Sequence, residues 1–528
     1  AYAAVSPMFQ RFEQAMTEYT RGTVGSFCVR CHLPVGTQLK IPRTASVLEA
    51  PPVVREGVTC IACHRIREHY WRSNGDRRIE PGSIFQPVGG TSGGAGVAEA
   101  ASRADELKLK INPHATGPHA TGPHATGPHA TGPGQSMHRS AYFFEPLKNS
   151  DVCVSCHQVA VHPGIWLEVV HAQYRSGPAA AKGITCQQCH MGAVPGKPDG
   201  YEWGHVAELN GKPWGQPRSK SNHRFWGPGY SIAHPGIYPL NPQAAQFTPR
   251  QWLLFDYRAG WGTEEFEASV PEGTVFPPPW DTADDRRDGR RVIDANLASL
   301  QDKRATAVMT LEAAARVDGP IIKTKPRVGR PLTVRYRVSN VSEGHNLPTG
   351  SLGAQPQLWL NVVLINPDGR RVWESGYLDC NSDLADMHSV QVARGRIRRD
   401  ADLFNLQTKF LINNVRGTDR EAALPLNFSL DQLAFLRPGA VPISVLNHPP
   451  LIRMEAHSIA PLDHRLPKYH IPGSALKKPG AYRLSVRMRS RGEPPYFMRQ
   501  IHSTPDMIRR MNENMLDVQM SSHTFLVK

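Results

Sequence analysis

Strand-like alternation of apolar and polar positions is concentrated in the second half of the chain. From about Ala305, "ATAVMTLEAA", "LTVRYRVSNV" and "LWLNVVLINPDGRRVWESG" read as strands, the last with an Asp-Gly hairpin signal at 368–369. "AYRLSVRMRS" (481–490) reads as a late strand of the same unit. Just ahead of them, "DRRDGRRVIDANLASLQDKR" (285–304) puts Ile293, Leu297 and Leu300 on one face, which predicts an amphipathic helix packed on the strands. In "GIWLEVVHAQYRSG", Ile165, Val169 and Ala172 follow helical spacing beside His171. The longest apolar run, "LWLNVVLI" at 358–365, has strand length and falls far short of the about 20 residues a membrane helix needs, so no transmembrane segment is expected.

Composition changes this picture in two ways. With 528 residues, two domains or one large domain is the expectation, and Gly 45 and Pro 46 predict much loop and turn. The formal charge of +15 would ordinarily suggest nucleic acid or an acidic membrane, yet the basic residues are scattered and belong to no nucleic-acid module, so no nucleic acid is expected as a partner. No Ser-His-Asp arrangement, phosphate loop or nucleotide fingerprint is apparent.

The cysteines carry the chemistry. Eight of the nine fall into four C-x-x-C-H motifs: Cys28, Cys31 and His32; Cys60, Cys63 and His64; Cys153, Cys156 and His157; Cys186, Cys189 and His190. Covalent haem c needs two thiols about one helical turn apart, for thioether bonds to the vinyl groups, and a histidine next to them for the iron. A zinc site would pair C-x-x-C units but gives no reason for His at the same offset each time, and a disulfide framework gives none either. Four covalently attached haem c groups are therefore expected, with His32, His64, His157 and His190 on the irons. Attachment of this kind takes place outside the cytoplasm, and the chain opens at Ala1 as a processed protein would, so an extracellular or periplasmic location is expected. Cys28 and Cys60 are 32 residues apart, Cys153 and Cys186 are 33, and "GVTC" and "GITC" introduce the second motif of each pair, so a two-haem unit looks duplicated. About eight propionate charges would offset roughly half of the basic excess. Cys380, the odd one, is expected to be buried.

The remaining histidines include the second iron ligands. Four, at 114, 119, 124 and 129, lie in the repeat "PHATGPHATGPHATGPHATGP", which reads as a linker. His138, His223 and His345 are the favoured ligands, His345 from the turn "SEGHNLPTG", where Gly344, Gly350 and Pro348 fix one imidazole on a rigid loop. His171 is the further choice, with a half-buried core histidine as its alternative; His69, His162, His205 and His234 stay open as weaker ones. Histidines 388, 448, 457, 464, 470, 502 and 523 are mostly expected at the surface.

On "SPMFQRF", "FCVRCHLPVG", "EGVTCIACHRI", "SDVCVSCHQ", "KGITCQQCHM", "SNHRFWG" and "VSNVSEGHNLPTG", the chain resembles a multihaem (tetrahaem) c-type cytochrome family with a C-terminal β-domain containing GHxLPTG. The resemblance implies an exported electron carrier with mostly bis-histidine haems and an immunoglobulin-like β-domain whose GHxLPTG histidine is an axial ligand. Relatives often carry a histidine just before "SPMF", so the fourth distal ligand is left to His171, His69 or another subunit. Tetrahaem cytochromes that stack into extracellular nanowires are a second resemblance, in haem number and exported character. The expected fold is α+β and multidomain: a loop-rich and helical tetrahaem domain at 1–235 with an insertion at 87–133, a connector with the helix at 236–304, and a β-sandwich at 305–528. The expected function is electron transport, with redox proteins, an extracellular acceptor or further copies in a filament as partners. The alternative is an oxidoreductase acting on a small anion at a haem with an open sixth position.

Overall fold

The computed structural model describes residues 4–19, 27–42, 46–69, 75, 77–80, 88–91, 103, 106, 141–161, 165–205, 207–209, 212–350, 356–412, 422–423, 452–455 and 457–528. The fold is mixed α+β, with helices and several antiparallel sheets. No helix among the described residues is long and apolar enough to cross a membrane.

The cysteine-motif half is built from short pieces. Helix α1 (Pro7–Tyr19) opens on a proline, whose missing N–H costs nothing in a first turn. Its Met8, Phe12 and Ala15 lie on one face against Tyr496, Phe497 and Ile501 from the far end of the chain. The four C-x-x-C-H motifs then sit on or at the start of short helices: α2 (Val29–His32), α3 (Cys60–His64), α4 (Asp151–His157) and α5 (Cys186–His190). The duplication read from sequence has a local structural counterpart. Short helices Pro52–Arg55 and Pro178–Ala181, each with proline in the first turn, precede Gly57 (φ 68°) and Gly183 (φ 71°), where the left-handed backbone favours glycine. Thr59 and Thr185 then stand at the N-cap positions of α3 and α5. Between the third and fourth motifs, β1 (Val159–Val161) and β2 (Ile165–Glu168) pair as a hairpin, and a helix starts only at Val170. Ile165 is thus on a strand rather than on the expected helix with Val169 and Ala172; β-branched and aromatic residues at 165–166 outweigh the apparent helical period.

Residues 236–282 wind around an aromatic cluster of Trp252, Phe255, Phe276 and Trp280, closed by Val292 and Ile293. Helix α6 (Glu264–Ser269) lies in this segment, and α7 (Ala283–Ala314) leaves it, capped by the Thr282 side chain accepting from Asp285 N. Two expectations are corrected here. Residues 305–314 are the last turns of α7, since Ala, Met, Leu and Glu favour helix and Ala307 and Leu311, one turn apart, share a core face. Ile293 and Leu297 pack on the aromatic cluster, not on the strands; the sheets are reached further along α7 by Ala307 and Leu311.

Two antiparallel sheets share the large core. In the first, β3 (Ala315–Ile322) pairs with β4 (Leu332–Asn340), whose other edge takes β7 (His464–Arg465) and β8 (Lys468–Ile471). In the second, the order is β6 (Arg371–Ser375), β5 (Gln357–Ile365), β9 (Gly480–Arg491) and β10 (Leu516–Val527). Burial alternates along β4, and Leu332, Val334, Tyr336 and Val338 face Leu358, Leu360, Val362 and Leu364 and the inward residues of β9. The Asp-Gly turn joins β5 to β6 as expected, with Gly369 at φ 77°. Cys380 is exposed, not buried, because it rides on a turn whose backbone is held by Asp379 Oδ1 accepting from Asn381 N and Asp383 N. His388, expected at the surface, is half-buried and stacks on Tyr496 at 4.0 Å.

Candidate functional site

Helical spacing brings the two thiols of each motif to one side of a turn, and tertiary packing then brings motif to motif. Cys31 Sγ donates to Ser155 O at 3.8 Å within the third motif, and Cys186 N donates to Ser150 Oγ at 3.0 Å just ahead of that motif, so the third motif lies between the first and the fourth. Arg77 Nη1 lies 3.1 Å from Cys156 Sγ and 3.1 Å from Ser155 Oγ, and its other terminal nitrogen reaches the Arg30 carbonyl at 3.4 Å. The hydrogen bond with Cys31, aided by Arg77 and His157, brings the Cys156 thiol down to about 5. Burial drives the Cys63 and Cys189 thiols up to about 11. None of the nine cysteines is in a disulfide.

The histidines are the informative part. His190 and His345 have ring centres 6.2 Å apart with planes 4° from parallel, and His64 and His223 have centres 6.2 Å apart at 37°. Rings in van der Waals contact sit much closer, as Phe9 does on His32 at 4.2 Å. Two imidazoles bound to one metal ion at about 2.0 Å, with each nitrogen about 1.15 Å from its ring centre, have centres about 6.3 Å apart. Both pairs fit that spacing.

The rings are also oriented as ligands require. His64 Nδ1 donates to Gly89 O at 2.7 Å, His190 Nδ1 to Trp226 O at 2.6 Å and His345 Nδ1 to Asn346 O at 2.9 Å, which leaves Nε2 of each as the free nitrogen. Burial keeps His190, His223 and His345 neutral by lowering their pKa values, that of His345 to about 4, and a neutral imidazole is the ligating form. His157 differs: its Nδ1 faces the Glu168 carboxylate at 3.2 Å, which raises it to about 9.

The segment around His223 serves two motifs at once. Asn222 N donates to Met191 O at 2.9 Å and Trp226 Nε1 to Gly192 O at 2.9 Å, pinning it along the exit of α5, while its carbonyl at Trp226 orients His190 and its His223 ring stands opposite His64. The turn carrying His345 is docked as firmly: Ala179 N donates to Glu343 O at 3.1 Å and Lys182 Nζ to Glu343 Oε1 at 2.6 Å. Beneath it, the buried Asn340 side chain donates to His345 O at 2.9 Å and Ile459 O at 3.0 Å while its oxygen accepts from Ser342. Asn340→Ala is expected to lower stability by about 2 kcal/mol through the bonds lost at His345 O, Ile459 O and Ser342, measurable by urea unfolding.

Of the other expected residues, His171 faces Asp151 at 3.3 Å rather than another imidazole. His234 is buried with both nitrogens used, Nε2 with Phe255 O and Nδ1 with Gly236 N, which makes it a core histidine. His205 is exposed and bonded to Gly215 O. His138, His162, the four repeat histidines and the side chain of His69 lie outside the described residues. Sequence reasoning missed Glu168 and Phe9. The hairpin register, which sets Glu168 opposite Val159, is the signal that would have found the first. Among the described residues no group of three or more His, Cys, Asp or Glu converges as a protein-only metal site needs, so a tetrahedral zinc site has no donor set among them. A surface pocket of about 430 Å³ lined by Arg371, Trp373, Glu374 and Tyr377 holds none of the cysteine-motif residues.

No family model matches the chain. No curated protein matches it. Among solved structures it is similar to a penta-heme cytochrome c552 from Thermochromatium tepidum, at 14% identity and a TM-score of 0.46 over 94% of this chain and 83% of that one. A likeness of that size is too slight to establish a shared fold.

Proposed function

We propose that this chain is an exported multihaem c-type cytochrome that carries electrons along four covalently attached haem c groups. The observation that carries the reading is the pair of facing imidazoles, His190 with His345 and His64 with His223, each including the histidine of a C-x-x-C-H motif. In this reading Cys28 and Cys31, Cys60 and Cys63, Cys153 and Cys156, and Cys186 and Cys189 form the thioethers, and His32, His64, His157 and His190 are the proximal ligands. His223 and His345 are the distal ligands of the second and fourth motifs, and His138 is the ligand for one of the other two. His171, whose Nε2 lies 3.3 Å from Asp151, stays the further choice for a distal ligand.

Haem c, when bound, supplies an iron that gains and loses one electron without binding substrate. The chain's own contribution is orientation and insulation. Carbonyl acceptors on Nδ1 fix the rings of His64, His190 and His345, burial keeps His190, His223 and His345 neutral, and two imidazoles per iron leave no position for substrate, which favours transport over catalysis at these two motifs. Contact between the first, third and fourth motifs favours passage from one centre to the next. The thioether chemistry places the protein in the periplasm or outside the cell. Redox proteins or an extracellular acceptor are the proposed partners, and end-to-end self-association would lengthen the path.

The test is the purified protein from a host that matures c-type cytochromes. Four haems per chain should remain after acid-acetone extraction and appear in the mass, and Cys186→Ala with Cys189→Ala should reduce the count to three. Protein that releases all its porphyrin on extraction, or that carries zinc instead, would overturn the reading.

A further inference from the structure

Three motif imidazoles, and the His345 ring that faces one of them, have defined Nδ1 partners, and one partner differs in kind. His64, His190 and His345 bond the backbone carbonyls of Gly89, Trp226 and Asn346, whereas His157 bonds the carboxylate of Glu168 at 3.2 Å. A carbonyl offers a dipole; Glu168 brings a full negative charge to the back of the ring. The fold places it there deliberately. Glu168 ends β2, paired across the hairpin with Val159 two residues past His157, and its side chain is 23% exposed beside a His157 ring that is 64% exposed.

We infer that Glu168 tunes the third motif, making its haem harder to reduce than those held by His64 and His190. This rests on the four-haem reading. Reduction adds one electron to the iron and moves no proton, so the ferric form carries one more positive charge than the ferrous. A carboxylate hydrogen-bonded to the ligand imidazole makes that ligand more basic, and its charge attracts the ferric iron; both effects favour the oxidised state. Glu168 is therefore a positioning residue acting through His157. The consequence for transfer follows from where the third motif lies. Its Ser155 carbonyl accepts from Cys31 Sγ and the Ser150 hydroxyl just ahead of it accepts from Cys186 N, so the low-potential centre stands between neighbours and not at an end. An electron crossing from the first motif to the fourth then takes an uphill step onto this centre and a downhill step off it.

The experiment is a spectroelectrochemical titration of the four-haem protein and of Glu168→Gln, which retains size and an acceptor oxygen but removes the charge. One of the four components should move positive by at least a tenfold change in its reduction equilibrium, about 59 mV for one electron, with the other three moving less. Glu168→Asp, which keeps the charge, should move that component less than Gln does. Four retained haems with no component singled out by Gln would overturn the inference and leave the four-haem reading intact. Loss of covalent haem from the unaltered protein would instead overturn that reading. If the Gln variant does not mature, Glu168→Ala is titrated in its place with the same shift expected, and an unshifted set of four overturns the inference equally.

Discussion

In the four-haem reading, His345→Ala should turn one haem in four from six-coordinate low-spin to high-spin, with a corresponding quarter of the reduced α-band intensity lost and a high-spin ferric signal gained. The ring of His345 stands 6.2 Å from that of His190, nearly parallel to it, and comes from a turn between strands that contain no cysteine motif of their own. Removing the imidazole leaves the turn in place, because Glu343 and Asn340 hold it through bonds that do not involve the ring. The exchanged position should therefore take up added imidazole and return to low-spin, which a collapsed turn would not permit. His205→Ala, at an exposed histidine bonded only to a nearby carbonyl, is the control and should leave the spectrum unchanged. A low-spin spectrum that survives loss of His345 would remove the turn from the haem and leave its docking without a redox purpose.

How much of this was legible in the chain depends on what each feature is made of. The motifs could be read directly because thioether chemistry fixes residue type and spacing within five positions, and the hairpin at Asp368-Gly369 because its turn demands a left-handed backbone. His223 and His345 stood out in the chain as candidate ligands through local stiffness, but the rings they face did not. Which proximal ring each one faces is decided by contacts more than 150 residues apart for His345, and no local pattern encodes those. Glu168 was hidden for the opposite reason: its segment satisfies a helical period, and only the pairing of β1 with β2 turns it toward His157. The helix over 305–314 was misread because alanine and methionine alternating with polar residues fit a two-residue period in a window too short to exclude a helix.

The division of the core follows from the same chemistry. The apolar core shared by the two sheets joins residues from α7 to the last strand, whereas among the described residues α3 belongs to a small cluster of Ala62, Ile66 and Ile79 with Val58, Ile61, Phe144 and Val152 packed against it. Short helices with small apolar clusters are marginal on their own. In the four-haem reading, porphyrin faces supply the missing apolar surface, which explains why a segment so rich in cysteine motifs is poor in periodic hydrophobic pattern.

Glu267→Ala should cost the protein about 3–5 kcal/mol, the second large effect, at a site far from any motif in sequence. Glu267 and Arg286 form an ion pair with side chains 3% and 5% exposed, joining α6 to α7. Arg286 also donates to Trp280 O at 2.8 Å and lies 3.8 Å from the centre of the Phe276 ring, while Glu267 accepts from Gly262 N at 2.9 Å. Taking away the carboxylate strands a guanidinium among Trp280 and Phe276 with half its partners gone, and the cost is that of the unpaired buried charge more than of the lost attraction. Replacing both residues, Glu267→Leu with Arg286→Met, removes the charge as well as its partner and should recover most of the loss. The pair also predicts a pH dependence with a definite sign. The hydrogen bond from Arg286 lowers the Glu267 pKa below its ordinary value, so its contribution is fully present above the unfolded value of about 4.3 and is lost as pH falls through the depressed folded one. Urea unfolding followed by far-ultraviolet circular dichroism at pH 7 and pH 3 measures both effects: the gap between the unaltered protein and Glu267→Ala should be smaller at the second than at the first. A gap below about 1 kcal/mol at pH 7 would mean that water reaches the pair and that the connector is held by its aromatic cluster alone.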